Sequence, residues 1–424
     1  MMLGTKIPGM KKLTNTKKIG IYHKPKYVYI PLISQNDTNI TVIAKKGDYV
    51  YKGSVIGKRK GNLRIPIHSS VSGTVVGFEE RPYLNGSVVK CVKIENDFKE
   101  KEEVKKEPHK TLNHYTKKQF INLIKECGIV GLGGAGFPTY VKYDTDKPIK
   151  TLLINAVECE PYITADYALM MEKCEEILET IDAILEICHI EEGIIAVKKN
   201  NTSLIKLINS FIGTYLKIKL VEVPNQYPMG WERNLIKQVK HVTYQSLPIE
   251  KGIVVNNVST IYAIYEALKY ERPLTERVVT FTGEMLKEPK NVLVKLGTPA
   301  HEVIESLGGY KRNKNIRFVA GGPMMGVAEP NDDLIVTSNL NCVLVLKEGK
   351  ESLPSECLRC GKCVSVCPAK LSPVLIKDYL KKPERLKELE PNRCIECGLC
   401  TYICPSKILV REFVKEAKKK SREG

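Results

Sequence analysis

Eight of the chain's 14 cysteines fall in two short stretches, and their spacing is that of a metal-cluster protein. Cys357, Cys360, Cys363 and Cys367, followed by Pro368, form C-x2-C-x2-C-x3-C-P; Cys394, Cys397, Cys400 and Cys404, followed by Pro405, repeat it. Two-residue spacers let three successive thiolates curl round one 4Fe-4S cubane, while a fourth cysteine, set back and followed by proline, points toward a neighbouring cluster. The spacing therefore predicts crossed ligation, with one cluster on Cys357, Cys360, Cys363 and Cys404 and the other on Cys394, Cys397, Cys400 and Cys367. A pair of four-cysteine zinc sites is the alternative, because zinc also takes tetrahedral thiolates from C-x2-C pairs. Structural zinc usually joins two separated knuckles, whereas here three cysteines occupy seven residues and the unit occurs twice, which favours iron. Such clusters move single electrons, so the rest of the chain should supply or accept them. Cys91, Cys127, Cys174, Cys188 and Cys342 sit in apolar, helical or strand-like runs and read as small core residues. Cys159, between two glutamates, is the one exception.

A second constellation lies upstream. Gly131, Gly133 and Gly136 satisfy G-x-G-x-x-G, with Gly134 inside the motif and Glu158 at a suitable distance for the acid of a dinucleotide site. The flanks do not suit a standard Rossmann turn: Phe120 to Cys127 reads as helix rather than strand, and Phe137-Pro138 interrupts the helix that should follow. A different nucleotide-binding loop fits better. Glycines let backbone amides approach a phosphate or a flavin ring, Phe137 offers a stacking face, and Lys142 can neutralise a phosphate. An ordinary tight turn with a solvated lysine is the alternative. The strand TLLINAVECEP weighs toward a ligand site, since it ends in Asn155, Glu158 and Glu160, where open α/β sheets place their ligands.

These groups need elements to hold them. With 424 residues, 43% hydrophobic and 27% charged, the chain should form two to four domains with sizeable cores. No run approaches the roughly 18 uncharged apolar residues of a spanning helix. The basic start lacks a following apolar stretch, so we expect an unsecreted chain. The formal charge of +18 permits nucleic acid, an anionic membrane face or an acidic protein as partner; nucleic-acid motifs are absent, and we expect no nucleic-acid binding. Residues 27–98 alternate β-rich runs with turns such as Lys46-Gly47-Asp48 and Ser72-Gly73, an all-β module resembling the barrel-sandwich hybrid of lipoyl and biotinyl domains. Its candidate tip, His68 to Gly73, lacks the attachment lysine, so we expect a docking or structural role. Residues 99–115 read as a charged linker. Residues 116–272 alternate strands (Thr151 to Val157, Gly193 to Val197, Ile218 to Val223, Gly252 to Asn256) with amphipathic helices, and form an α/β domain. Residues 273–346 read as a small α+β, β-grasp-like domain, residues 355–410 as a two-cluster ferredoxin-like domain, and residues 411–424 as a basic tail. The expected fold class is thus a multidomain α/β protein with an N-terminal all-β barrel-sandwich hybrid.

Together, GLGGAGFPTYVK, INAVECEPYITADY, YPMGWERNLI, VVNNVSTIYAI and GGPMMG, preceded by the β module and followed by two ferredoxin motifs, resemble the C subunit of the Rnf electron-transport complex and its soluble relatives. The resemblance covers nearly the whole chain, and the central part is also similar to the flavin-bearing, NADH-oxidising subunit of respiratory complex I. It implies FMN held by Gly131, Gly133, Gly134, Lys142, Asn155, Glu158, Asn256, Asn257 and Thr260, and a nicotinamide dinucleotide near Phe137, Glu160 and Glu232. The chemistry is compatible: amides and Lys142 suit a phosphate, asparagines the flavin's polar edge, and Glu160 or Glu232 ribose hydroxyls. Glu232 reads equally as a helix-start carboxylate, and Asn256-Asn257 as a strand-to-helix cap. The complex I protein carries one four-cysteine set where this chain has two repeats, so the electron exit should follow the Rnf-like branch.

The implied activity is electron transfer, with hydride exchange between NAD(H) and bound FMN and single electrons passing through two 4Fe-4S clusters to or from a partner. That partner would be ferredoxin, flavodoxin or other subunits of an electron-transport complex, with Arg359, Lys362 and Arg393 favouring an acidic one. The expected location is the cytoplasm, free or peripheral to the inner face of the cell membrane. Two alternatives remain: a flavin-dependent reductase feeding cobalamin or an amino-acid reductase, and a flavin-free iron-sulfur adaptor of a larger complex.

Overall fold

Between Tyr27 and Asn96 apolar side chains face one another in alternate positions, and the backbone follows that pattern into two small sheets. The computed structural model describes residues 4–33, 37–61, 63–84, 86–104, 107–311, 315–349 and 353–423. Tyr27–Pro31, Val88–Asn96, Gly73–Pro82 and Tyr49–Val50 pair in that order, and Val55–Arg59 lies between Ile40–Val42 and Pro66–His68 in a second sheet. Register puts Val28 opposite Ile94 and Ile30 opposite Val92, and all four enter one core with Ile56, Val71 and Val75. The stretch His68 to Gly73 is not an exposed tip. Ser69, Ser70 and Ser72 are inaccessible, and Ser70 Oγ donates to the Leu296 carbonyl at 2.5 Å, which makes the stretch structural.

The segment expected as a solvated linker is anchored. Glu100 pairs with Lys52 of the β module at 3.1 Å and with Lys295 of the following domain at 2.7 Å. His109 pairs with Glu271 at 3.0 Å, and Leu112 is buried. Glu100, Glu102 and His109 thus have partners on the units the segment joins, which a count of charges along the sequence does not reveal.

The nucleotide-type domain is built on a four-stranded parallel sheet, in spatial order Ile218–Val223, Glu192–Lys198, Thr151–Ala156, Ile253–Asn257. Each coincides with an expected strand to within two residues. They were legible because parallel strands are covered on both faces and read as near-continuous apolar runs. Helix Cys174–Ile187 packs there through Ile177, Leu178, Ile181, Ile184 and Leu185, the expected stripe. The first strand in the chain sits inside the sheet; the chain builds outward through the second and third, then returns to lay Ile253–Asn257 on the first strand's other side. Strand order therefore reverses between Thr151–Ala156 and Ile253–Asn257.

A six-stranded sheet follows, ordered Gly20–Tyr22, Lys290–Lys295, Glu276–Thr282, Cys342–Lys347, Ile316–Ala320, Val327–Glu329, with helix Ala300–Ser306 packed into its core. Its edge strand comes from the N-terminal arm, parallel to Lys290–Lys295, a pairing that no local pattern announced. The cysteine-rich unit consists of short helices closed by Val410–Glu423. That last helix replaces the expected basic tail. Val410, Val414 and Ala417, spaced i, i+4, i+7, are buried against Leu371, Ile376 and Leu386, while Lys419 and Lys420 are exposed. Among the described residues no helix is long and apolar enough to cross a membrane.

Candidate functional site

At the carboxyl ends of the two strands flanking the reversal, register sets Asn257 beside Asn155. Asn155 donates to the Gly230 carbonyl at 2.8 Å. Asn257 caps helix Val258–Tyr270, accepting from the amides of Ser259 at 2.9 Å and Thr260 at 3.4 Å, and donates to Asp166 Oδ2 at 2.6 Å. Asn256, buried, donates to the Tyr143 hydroxyl. The glycine loop folds over this edge. Gly131 N–H donates to the Phe137 carbonyl at 2.8 Å, Gly136 N–H to the Gly131 carbonyl at 3.0 Å, and Leu132 N–H to Thr260 Oγ1 at 2.9 Å. A Cβ on Gly133 would lie 3.3 Å from Asn257 Cβ, and Gly134 has φ +111, a conformation glycine adopts without strain. Gly133 and Gly134 are exposed, which leaves the loop backbone open to solvent at those two positions. Gly136 serves packing instead, since a Cβ would meet Asn339 Oδ1 at 2.5 Å. A 3-10 turn, Thr139–Lys142, follows where a Rossmann fold would continue as α-helix. It delivers the Lys142 ammonium 2.6 Å from the Val255 carbonyl and 3.5 Å from Asn256 Oδ1. Burial lowers this ammonium's pKa while the Glu232 charge opposes the shift. A largely buried cation whose direct hydrogen-bond partners are neutral oxygens is chemically matched to an anionic group such as the phosphate of FMN.

Beyond the strand end the acids turn away from this edge. Glu158, at φ +40, accepts from the Asp166 amide at 2.9 Å and lies 3.5 Å from Lys11 of the N-terminal arm. Burial pushes its carboxyl up to about 7, with Lys11 opposing and Asp166 adding to the shift. Lys198 reaches the Glu158 carbonyl at 3.3 Å, and burial, then Lys11, draw its ammonium down to about 8. Glu160 accepts from the Met324 and Met325 amides at 2.7 and 3.0 Å, in the turn formed by GGPMMG. A Cβ on Gly322 would come within 2.1 Å of Glu160 Cγ, which accounts for glycine there. Glu232 opens helix Glu232–Lys240 and accepts from the Tyr244 hydroxyl at 2.7 Å. The structure thus gathers Gly131, Gly133, Gly134, Lys142, Asn155, Asn256, Asn257 and Thr260 at one sheet edge. Among the described residues no hydrogen bond or ring contact joins Phe137, Glu160 and Glu232 to one another. Sequence reading missed Lys11, Asp166 and Tyr227, whose partners are remote; Asp166, for example, holds both Asn257 and Ser259 Oγ, each at 2.6 Å.

The eight clustered thiols ring two voids. One, of about 30 Å³, is lined by Cys357, Cys360, Cys363 and Cys404; the other, of about 20 Å³, by Cys367, Cys394, Cys397 and Cys400. Among the described residues no three His, Cys, Asp or Glu side chains form a group that could hold a single metal ion. Burial pushes the Cys397 and Cys400 thiols up to about 12, and a cationic cluster would offset that cost as they ionise. Amides of Leu371 and Glu396 point at Cys367 Sγ and Cys394 Sγ, at 3.4 and 3.3 Å, as N–H···S bonds that stabilise thiolate. The two sets differ in depth: Cys360 is exposed and Cys397 buried. Tyr227 donates its hydroxyl to the Cys397 carbonyl at 2.8 Å, and the same loop gives Gly230 to Asn155, so a few residues connect the sheet edge to the deeper set.

Four family models match successive parts of the chain: the RnfC barrel sandwich hybrid domain over residues 1–99, the Nuo51 FMN-binding domain over 124–266, the SLBB domain over 278–328 and the 4Fe-4S dicluster domain over 356–408. Solved structures of an NAD+-reducing NiFe hydrogenase share the fold. The H2-reduced form has TM-score 0.51 over 73% of this chain and 63% of that one at 16% identity. The air-oxidised form has TM-score 0.54 over 74% and 67% at 15% identity. Among curated proteins, the C subunit of the Na(+)-translocating ferredoxin:NAD(+) oxidoreductase complex of Acetobacterium woodii is 35% identical, covering 88% of this chain and 86% of its own length. The C subunit of the proton-translocating complex of Clostridium ljungdahlii is 34% identical over 86% and 81%. That of the ion-translocating oxidoreductase complex of Haemophilus influenzae is 33% identical over 90% of this chain and 60% of its own length. With its FMN-binding and 4Fe-4S dicluster domains in that order, the chain is an electron-transfer oxidoreductase and belongs to the RnfC family.

Proposed function

We propose that this chain exchanges a hydride between NAD(H) and FMN at the sheet edge and passes single electrons through two 4Fe-4S clusters to or from a redox partner, as a member of a complex on the cytoplasmic face of a membrane. The observation that carries this reading is the convergence of the glycine loop, Lys142, Asn155, Asn256 and Asn257 where strand order reverses, the position at which open α/β sheets bind nucleotides. Bound FMN would supply the conversion between two-electron hydride chemistry and one-electron transfer. The chain's own groups bind and orient. Amides at Gly133 and Gly134 and the Lys142 ammonium would hold the phosphate, while Asn155, Asn256 and Asn257, whose amides are fixed by Gly230, Tyr143 and Asp166, would form the rigid polar edge against which the ring lies. Glu232 has one carboxylate oxygen unoccupied by Tyr244 and takes a nicotinamide-ribose hydroxyl. Glu160 is committed to the Met324 and Met325 amides and positions the loop instead. Phe137 supplies an apolar face beside the loop. No side chain needs to act as a catalytic base.

Crossed ligation assigns the deeper cluster to Cys367, Cys394, Cys397 and Cys400 and the outer one to Cys357, Cys360, Cys363 and Cys404, each set ringing its own void. The Tyr227 link makes the deeper cluster the one adjacent to the flavin edge. The test is anaerobic purification with iron and flavin analysis, followed by titration with NADH and NADPH in the visible region. Bleaching of flavin and cluster bands by one nucleotide is expected. A protein carrying both clusters but no flavin, and silent to both nucleotides after FMN is added, would be an adaptor instead.

A further inference from the structure

A cleft of about 940 Å³ opens between helix Glu232–Lys240 with the following turn and the cysteine-rich unit. Cys367 and Cys394 line it, so the deeper cluster set has its own opening to solvent in addition to the exposed Cys360 of the outer set. Its charge is one-sided. Arg233, Lys237, Lys370 and Arg393 face the cleft, and among the described residues no carboxylate lines it. Arg233 is fixed by stacking 4.2 Å over the Tyr244 ring and by donating to the Tyr244 and Gln245 carbonyls at 2.6 and 2.7 Å. Arg393 is shared with Glu390, whereas Lys237 and Lys370 have no acidic partner among the described residues. The outer set offers a different surface: Leu358 and Leu409 beside it are 69% and 60% exposed, and Arg359 is neutralised by Asp378.

We infer that this cleft is a docking port through which a small, acidic, one-electron carrier protein exchanges electrons directly with the cluster held by Cys367, Cys394, Cys397 and Cys400. The inference rests on the cluster assignment proposed above and adds the site and the charge of the partner. Unpaired lysines at a cleft steer an acidic protein into transient encounters that weaken with salt, while exposed leucines suit a lasting contact with another protein of an assembly. Oxidation of one NADH releases two electrons and one proton, so two carrier molecules are each reduced by one electron per NADH; in the opposite direction two reduced carriers and one proton convert NAD+ to NADH.

The experiment uses the holoprotein and an oxidised, acidic 2Fe-2S ferredoxin. Its binding is measured calorimetrically at low and at moderate ionic strength, alongside NADH-driven bleaching. Expected is a loss of affinity of about tenfold or more in K237E/K370E, with a flattened salt dependence and unchanged NADH bleaching. K362E, beside the outer set, should bind within about twofold of the parent. Loss of binding in K362E but not in the cleft variant would move the port to the outer cluster and overturn the inference. So would an unmodified protein that NADH bleaches but that does not bind the ferredoxin. Binding that depends on Lys237 and Lys370 in a protein that NADH fails to bleach would uphold the port and overturn the nicotinamide reading instead.

Discussion

The side chains at the sheet edge carry charges whose cost has to be met locally, and Glu158 shows how. Its carboxyl titrates near 7 because it is buried, against 4.5 for an unperturbed glutamate. Between those values the folded chain holds a proton that the unfolded chain has released. Stability is therefore greatest below about 4.5 as far as this group is concerned, and it falls as pH rises toward 7, by at most about 1.4 kcal/mol per pH unit. Glu158→Gln should flatten that slope, as measured by urea unfolding midpoints across the window; an unchanged slope would show that the carboxyl is not the titrating group. Lys198 acts in the opposite sense in a separate window. Its ammonium is drawn down to about 8, so its contribution rises as pH climbs from there toward 10.5. The glycines and Asn155 stood out in the sequence because each lies at the loop or strand end it serves, whereas Asn256 and Asn257 were singled out by the family resemblance and read locally only as a strand-to-helix cap. Lys11 and Asp166 were not legible, since Lys11 meets Glu158 across 147 positions and Asp166 meets Ser259 across 93.

At the scale of elements, what local pattern specifies was read correctly and what partners specify was not. The four parallel strands and helix Cys174–Ile187 declare themselves by apolar runs and i, i+3, i+4 spacing. The closing helix Val410–Glu423 was obscured by its lysines, although Val410, Val414 and Ala417 mark its buried stripe. Residues 99–115 misled in the same way, through charges whose partners lie elsewhere. There Lys295 is fully buried with Glu100 as its ion-pair partner, and burial lowers the ammonium's pKa while Glu100 opposes the shift. Glu100→Gln removes the ion-pair partner of a buried ammonium but leaves Glu276 nearby, and because Glu100 is itself 39% exposed it should destabilise the protein by about 1–2 kcal/mol. Lys295→Met, which removes the charge and keeps the bulk, should cost less than Glu100→Gln does. Chemical denaturation of the two variants separates the outcomes; equal losses would mean that the pair contributes only packing.

Over the whole molecule, the proposed crossed ligation makes each cysteine motif answerable for both clusters. Cys404→Ala should remove the outer cluster, whose other ligands belong to the first motif, and leave the NADH-reducible signal of the deeper one. Cys367→Ala should do the reverse, and the NADH-driven signal of the remaining outer cluster should develop at least about tenfold more slowly because the intermediate carrier is gone. Iron content and low-temperature paramagnetic resonance distinguish the two; loss of the first-motif cluster in Cys367→Ala would establish uncrossed ligation. The assembly also depends on the N-terminal arm, which touches Glu158, pairs with Tyr227 and extends the six-stranded sheet. Lys17 of that arm meets its acceptor, Pro289, across 272 positions. At about 5–20 residues per second of translation, roughly 15–50 s therefore pass between synthesis of the arm and synthesis of the strand Lys290–Lys295 that it pairs with. Throughout that interval Gly20–Tyr22 is an unpaired strand on a nascent chain, and the molecule's greatest exposure to proteolysis and wrong pairing falls during its own synthesis.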